Sequence, residues 1–150
     1  MRKMEILLVI DIQQKYIGFY KDELLDAANS RIDEAKKQSI PIVYIRNIGV
    51  LGNIDGYELA SELHVESELI FTKRFPDAFT NKEFAHKLKE MNVDTINVVG
   101  VDGRCCVFQT VMRAVKQGYK VKLYLDAIGA RQSKFYAKEL EEMKAAGVEC

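Results

Sequence analysis

The sequence predicts a three-layer α/β/α fold around a mainly parallel, doubly wound sheet. Short apolar runs rich in β-branched residues recur along the chain, as strands buried on both faces require. Stretches with apolar residues at helical spacing separate them. No internal repeat, low-complexity segment or linker interrupts the alternation. A single domain over residues 1–150 is therefore expected.

Ile6 to Ile10 reads as a buried strand that stops at Asp11. From Asp22 to Gln38, Leu24, Leu25, Ala28, Ile32 and Ala35 make one apolar stripe, so this is a helix with Asp22 as its cap. Ile42 to Ile45 is a second strand, opened by Pro41 and closed at Arg46-Asn47. Gly49 to Ser67 carries Gly49, Gly52, Gly56 and several acids. It reads as a long surface loop with a short helix over Tyr57 to Leu63, and long loops in compact domains are commonly functional or mobile. Leu69 to Thr72 is a third strand, ending at Lys73. Asn81 to Met91 is a helix with Phe84, Leu88 and Met91 inward. Thr95 to Val99 is a fourth strand, and Gly100 to Gly103 then lets the chain turn sharply. Cys105 and Cys106 open the next helix, in which Val107, Val111, Ala114 and Val115 recur until Gly118 ends it. Val121 to Leu125 is the fifth strand. Ser133 to Ala146 is the last helix, with Phe135, Leu140 and Met143 on one side and Gly147 at its end. Such a pattern is Rossmann-like in architecture.

Composition narrows the function. The chain has 150 residues, 48% hydrophobic and 29% charged, which fits a soluble globular protein with a real core. Its 22 basic and 22 acidic residues balance, and no basic stripe with interleaved aromatics appears. Nucleic acid is thus not an expected partner. No apolar run approaches the roughly 20 residues of a membrane span, so no membrane partner is expected either. The N-terminal apolar core, Ile6 to Ile10, is cut off by Asp11 and has no small-residue cleavage site after it. A cytoplasmic location is expected. The three cysteines, Cys105, Cys106 and Cys150, do not make a disulfide framework. His64 and His86 lie far apart in sequence and there is no C-x-x-C, so no structural zinc site is expected.

In a doubly wound sheet, ligands bind beyond the carboxyl ends of the strands at the switch point. Three reactive side chains follow strand ends: Asp11 the first, Lys73 the third and Cys106 the fourth. Right-handed winding with the first and fourth strands adjacent puts Asp11 and Cys106 roughly 5 Å apart. The third strand lies farther out, but a lysine stem is long enough to lean back. A helix N-terminus favours thiolate, which predicts a Cys106 pKa below the free value of about 8.5. Each residue also has a plain structural alternative: a core thiol, a turn carboxylate, a solvated ammonium. Jointly they supply the nucleophile, carboxylate and cation of activated-nucleophile catalysis.

Three blocks then carry a resemblance: LLVIDIQQKY, FTKRFPDAF and VVGVDGRCCVFQTVMRAVKQGYKV. In this order they resemble the isochorismatase-like cysteine hydrolases, which include nicotinamidases and N-carbamoylsarcosine amidohydrolases. The first is similar to the family's strand ending in Asp-x-Gln with an aromatic three residues on, here Tyr16. The second is similar to its Lys followed by Ala-Phe, here Ala78-Phe79. The third aligns Cys106, not Cys105, with the nucleophile, because Val107 and Thr110 follow at the family's offsets. Gly103 and Arg104 stand where many members have Thr-Asp, and Arg113 where an acid is common. The metal ligands of nicotinamidases are not evident, His64 being the only histidine between the second strand and the second block.

The resemblance implies an isochorismatase-like hydrolase fold and hydrolysis of a small amide or related C–N bond. It implies an Asp11–Lys73–Cys106 triad that works through a Cys106 acyl-enzyme, with no cofactor and no metal. It implies an oxyanion site made by the backbone N–H groups of Asp102 and Cys106, and a cis peptide at Val101-Asp102. Gln13, Tyr16, Phe75 and Arg104, with the Gly49 to Ser67 loop, are the expected substrate contacts. A homo-oligomer, dimer or higher, is expected because family members commonly associate. Two alternatives stand beside this expectation. One is isochorismatase-type vinyl-ether hydrolysis, with Arg46, Arg74 and Arg104 receiving a dicarboxylate. The other is a non-catalytic flavodoxin-like binding or redox module.

Overall fold

The computed structural model describes residues 4–150, so residues 1–3 of the predicted domain lie outside the described residues. Five strands form the sheet: β1 (Met4–Ile10), β2 (Ile42–Asn47), β3 (Ile70–Lys73), β4 (Val93–Val101) and β5 (Lys120–Gly129). Their order is β3-β2-β1-β4-β5, and every pairing is parallel. The chain winds outward from β1 to β3, returns to β4 on the other side of β1, and ends at β5. The order therefore reverses between β1 and β4, which is where a doubly wound sheet opens a crevice.

Alternation along β1 sends Ile6, Leu8 and Ile10 into one core and Leu7 and Val9 into the other. The first core is closed by Phe84 and Leu88 of α3 (Lys82–Glu90), Val107, Val111 and Ala114 of α4 (Cys106–Lys116), and Met143 of α5 (Tyr136–Ala145). The second is closed by Ala28, Ile32 and Ala35 of α2 (Glu23–Lys37). Helices thus cover both faces, giving the three predicted layers. Among the described residues no helix is long and apolar enough to cross a membrane.

The differences from the sequence expectation are local. A four-residue helix, α1 (Gln14–Ile17), follows β1 directly. Asp22 does not cap α2: its backbone is already helical, at φ −58° and ψ −33°, and its side chain makes no capping bond. Asn81 does cap α3, accepting from the N–H groups of Glu83 and Phe84. Tyr57 to Leu63 is not a helix. Leu59 pairs with Gln13 in an antiparallel bridge and the Ala60 N–H donates to the Ile12 carbonyl at 3.0 Å. Backbone groups next to β1 thus take the partners a helix would have used, and Ala60 and Leu63 are buried against the α2 side. The last helix is split: a 3-10 turn at Ser133–Phe135 precedes α5, and Phe135 is 49% exposed instead of inward.

Candidate active site

The site starts where β1 ends. Asp11 has φ +55°, a left-handed turn that Asp tolerates better than most residues. Its N–H still donates to the Ile45 carbonyl of β2 at 3.0 Å, so the bend is anchored. On the other side Gly100 of β4 pairs with Ile10. Gly100 has φ +132°, and a Cβ there would run into the Ile10 carbonyl oxygen. Only glycine lets β4 lie this close to β1, and the turn that follows it brings Cys106 to Asp11.

Lys73 ends the edge strand β3 and pairs in register with Asn47. Its stem crosses the end of β2, and its Nζ lies 3.0 Å from Asp11 Oδ2. The two side chains are 0% and 4% exposed, so this ion pair is buried. A buried pair costs desolvation that its own attraction barely offsets, which makes it a poor device for stability alone. Asp11 Oδ1 is also buried and has no well-aligned hydrogen bond among the described residues.

Cys106 is the first residue of α4 and is partly buried, while Cys105 before it is exposed. Asp11 and Lys73 both act on the Cys106 thiol by charge and by hydrogen bonding. The expected depression of its pKa does not occur. Burial first, and the Asp11 carboxylate second, push the thiol up to about 12 against the pull of Lys73. Burial likewise holds the Asp11 carboxyl above its ordinary value, although Lys73 and the thiol hydrogen bond work the other way. The physical reason is a charge count. One ammonium faces two acids in this dry site, so an ionised Asp11 disfavours the thiolate and a thiolate disfavours an ionised Asp11.

Two backbone donors lie at the same turn. The Val101-Asp102 peptide is cis. Among the described residues neither the Asp102 N–H nor the Cys106 N–H donates to a carbonyl. Asn47 Nδ2 lies 3.9 Å from Cys106 Sγ, and Asn47 Oδ1 is held by the Gly49 N–H at 2.9 Å, which turns the amide nitrogen toward the sulfur. Sequence reasoning passed over Asn47, which read as a strand-closing residue. The available signal was its position at the same carboxyl edge as Asp11, Lys73 and Cys106.

The expected substrate contacts divide. Tyr16 is half-buried; burial, then Tyr57, Asp11 and Cys106, hold its phenol above its ordinary pKa, so it stays a donor beside the site. Phe75 is half exposed two residues beyond Lys73. Gln13 is corrected: it is 0% exposed and its amide is spent on backbone. Its Nε2 donates to the carbonyls of Asn47 at 3.1 Å and Tyr57 at 2.9 Å, and its Oε1 accepts from the Asn47 N–H at 2.7 Å. Gln13 therefore pins the end of β2 and the following loop. Arg104 is corrected as well: it turns to α5, donating to Glu139 at 3.2 Å and Gln132 at 2.8 Å. Arg46 donates to the Tyr57 carbonyl at 3.0 Å, and the Arg74 guanidinium lies across Gly52. Among the described residues Arg46 and Arg104 are thus held by other protein groups.

The residues present do not fit a catalytic metal. His64 pairs with Asp33 at 2.7 Å at an exposed position, and His86 is exposed on α3. No cluster of three or more His, Cys, Asp or Glu side chains arranged for a metal occurs among the described residues.

A buried acid, cation and thiol at the switch point of a parallel α/β sheet define a class of site. The isochorismatase domain family matches residues 5–150. The chain belongs to the isochorismatase family of hydrolases. It is 30% identical over 136 residues to the uncharacterised isochorismatase family protein YddQ of Bacillus subtilis, covering 81% of this chain and 75% of YddQ. It is 27% identical over 139 residues to a streptothricin hydrolase of Streptomyces noursei, covering 84% of this chain and 54% of that protein. Among solved structures it is similar in fold to the pyrazinamidase of Pyrococcus horikoshii determined in complex with zinc. There the TM-score is 0.85 and the identity 22%, with 97% of each chain covered.

Proposed function

We propose that this protein is a cysteine hydrolase of small, uncharged amides or related C–N compounds, acting through Cys106. The observation that carries this is the buried Lys73–Asp11 pair with one carboxylate oxygen left without a well-aligned partner beside the Cys106 thiol. Asp11 takes the thiol proton as the sulfur attacks the substrate carbonyl carbon. The carbonyl oxygen becomes an oxyanion between the Asp102 and Cys106 N–H groups. Asp11 then gives its proton to the leaving nitrogen, the C–N bond breaks and a thioester remains. Water attacks the thioester, its proton passes to Asp11, and the thiolate leaves and is reprotonated. Lys73 keeps Asp11 ionised at the start and balances the one negative charge that moves between carboxylate and sulfur.

The two charges beside the sulfur, Asp11 and Lys73, offset one another, which supports an uncharged substrate. Asn47 and Tyr16 offer donors there, while Arg46 and Arg104 are engaged elsewhere and the Arg74 guanidinium lies against Gly52. A streptothricin hydrolase among its relatives is compatible with hydrolysis of a small molecule. A hydrolysis screen over small amides, carbamoyl compounds and isochorismate tests the proposal, with Cys106→Ala and Cys105→Ser as controls. Turnover of an amide that survives Cys105→Ser and vanishes in Cys106→Ala is expected. Turnover of isochorismate alone, or activity that persists in Cys106→Ala, would overturn it.

A further inference from the structure

The turn from Gly100 to Cys106 has few side chains with which to hold itself. Gly103 has none, and a Cβ there would come within 2.8 Å of the Tyr136 ring. Arg104 reaches away to α5. What ties the turn is Asp102. Its Oδ1 accepts from the Arg104 N–H at 2.9 Å. Its Oδ2 accepts from the Tyr20 hydroxyl at 3.0 Å and from the Arg131 N–H at 2.7 Å. Its carbonyl accepts from the N–H groups of Cys105 and Val107, each at 3.0 Å. Donors from four segments therefore converge on one residue: the α1–α2 connection, the turn itself, the first turn of α4 and the segment after β5. Every polar group of Asp102 is engaged except its N–H.

We propose that the Asp102 carboxylate and the Tyr20 hydroxyl are positioning residues that aim the Asp102 N–H at the oxyanion, an inference that rests on the Cys106 acyl-enzyme reading and deepens it. Neither group touches the substrate. Tyr20 acts through Asp102, and Asp102 acts through its own backbone. Tyr20 suits the task because it stays a donor: burial, and then the Asp102 charge, hold its phenol well above the ordinary value. Its ring is also fixed, lying against Gly129, where an added Cβ would come within 2.8 Å of it. The Tyr20 hydroxyl donates to a charged acceptor at 3.0 Å, which gives the Asp102 carboxylate one oriented contact from outside the turn. Both residues line a cavity of about 910 Å³ that holds neither Asp11, Lys73 nor Cys106 in its walls. The latch thus faces a different cavity from the one the three reactive side chains would line.

The inference separates two reactions of the same thiol. Acylation of Cys106 by p-nitrophenyl acetate forms the S–C bond, places negative charge on the carbonyl oxygen, and then expels p-nitrophenolate. Alkylation by iodoacetamide forms an S–C bond and expels iodide, with no oxyanion. Each rate at Cys106 is followed by mass spectrometry of the intact protein. Tyr20→Phe should slow acylation about tenfold and leave alkylation within about twofold; Asp102→Ala should slow acylation further, toward the loss seen when an oxyanion donor is removed outright. Equal slowing of both reactions would mean that the bonds merely hold the fold together and would overturn the inference. Unchanged acylation in both variants would overturn it too. A wild-type protein that is alkylated but never acylated at Cys106 would instead bring down the acyl-enzyme reading itself, and the inference with it.

Discussion

Lys73 stands at the end of the outermost strand, yet its Nζ is 3.0 Å from Asp11 Oδ2, at the end of a strand two places inward. The cation and the carboxylate are thus coupled across the whole end of β2. Asn47, in register with Lys73, lies between them and the loop.

The coupling should be readable in the thiol. Iodoacetamide alkylation against pH should show Cys106 titrating far above a free cysteine, toward about 12. Lys73→Ala removes the charge that favours thiolate and should push the titration higher. Asp11→Asn removes the competing anion and should bring it down, giving a readily alkylated protein that turns nothing over. Superimposable profiles for the three proteins would mean that the residues do not share a site.

Turnover should follow Asp11 on the acid side. The carboxylate must be ionised to accept the thiol proton, and its pKa is raised above 3.8 by burial. The acid limb of kcat/KM should therefore lie above the ordinary carboxylate range, and activity should persist into alkaline solution while the thiol keeps its proton. An acid limb at or below the ordinary carboxylate value would contradict the burial effect.

The ion pair should cost stability. Removing one partner leaves the other charge buried, so Asp11→Asn should lose about 3–5 kcal/mol. The double variant Asp11→Asn, Lys73→Met should recover most of that loss. The sign for pH follows from the raised carboxyl pKa. Asp11 contributes most below its unfolded value, and that contribution is lost as pH rises through the folded one. Urea unfolding at about pH 4 and about pH 7 should show the double variant gaining on the wild type at the higher pH. A double variant no more stable than Asp11→Asn would show that the pair is a net stabiliser.

Gly100→Ala should damage fold and site together. The new methyl meets only backbone atoms of Ile10, so no neighbouring side chain can move aside to make room. Overpacking of this kind costs about 1–3 kcal/mol, and the positive φ adds to it. A lowered Tm with lost turnover is expected. A variant with the wild-type Tm would show that β1 and β4 can separate freely.

Much of this was legible in the chain. Asp11, Lys73 and Cys106 each follow an apolar run, and strand direction alone carries three such ends to one edge. The gathering of the two cores was legible for the same reason: Ile6, Leu8 and Ile10 alternate with Leu7 and Val9. What stayed hidden depends on partners distant in sequence. Gln13 sits next to a reactive residue and reads as a substrate contact, until its three bonds to Asn47 and Tyr57 are known. Tyr57 to Leu63 has the composition of a short helix, but the Ile12 carbonyl and Gln13 backbone claim it. The thiol pKa was misjudged because a helix start can be recognised locally, whereas the burial and the opposing carboxylate that outweigh it cannot.

The site's positive charge is carried on four residues of edge strand, hydrogen-bonded into the sheet through β2 alone. Edges of this kind open locally at a lower free energy than the strands they border. On gentle warming β3 should exchange its amide hydrogens while β1 and β4 remain protected. Each opening takes Lys73 out of the site and leaves Asp11 without its counter-charge. Catalysis should then fade over a temperature range in which the circular dichroism of the sheet has not yet changed. Coincident loss of activity and dichroism would show that β3 opens only with the whole molecule.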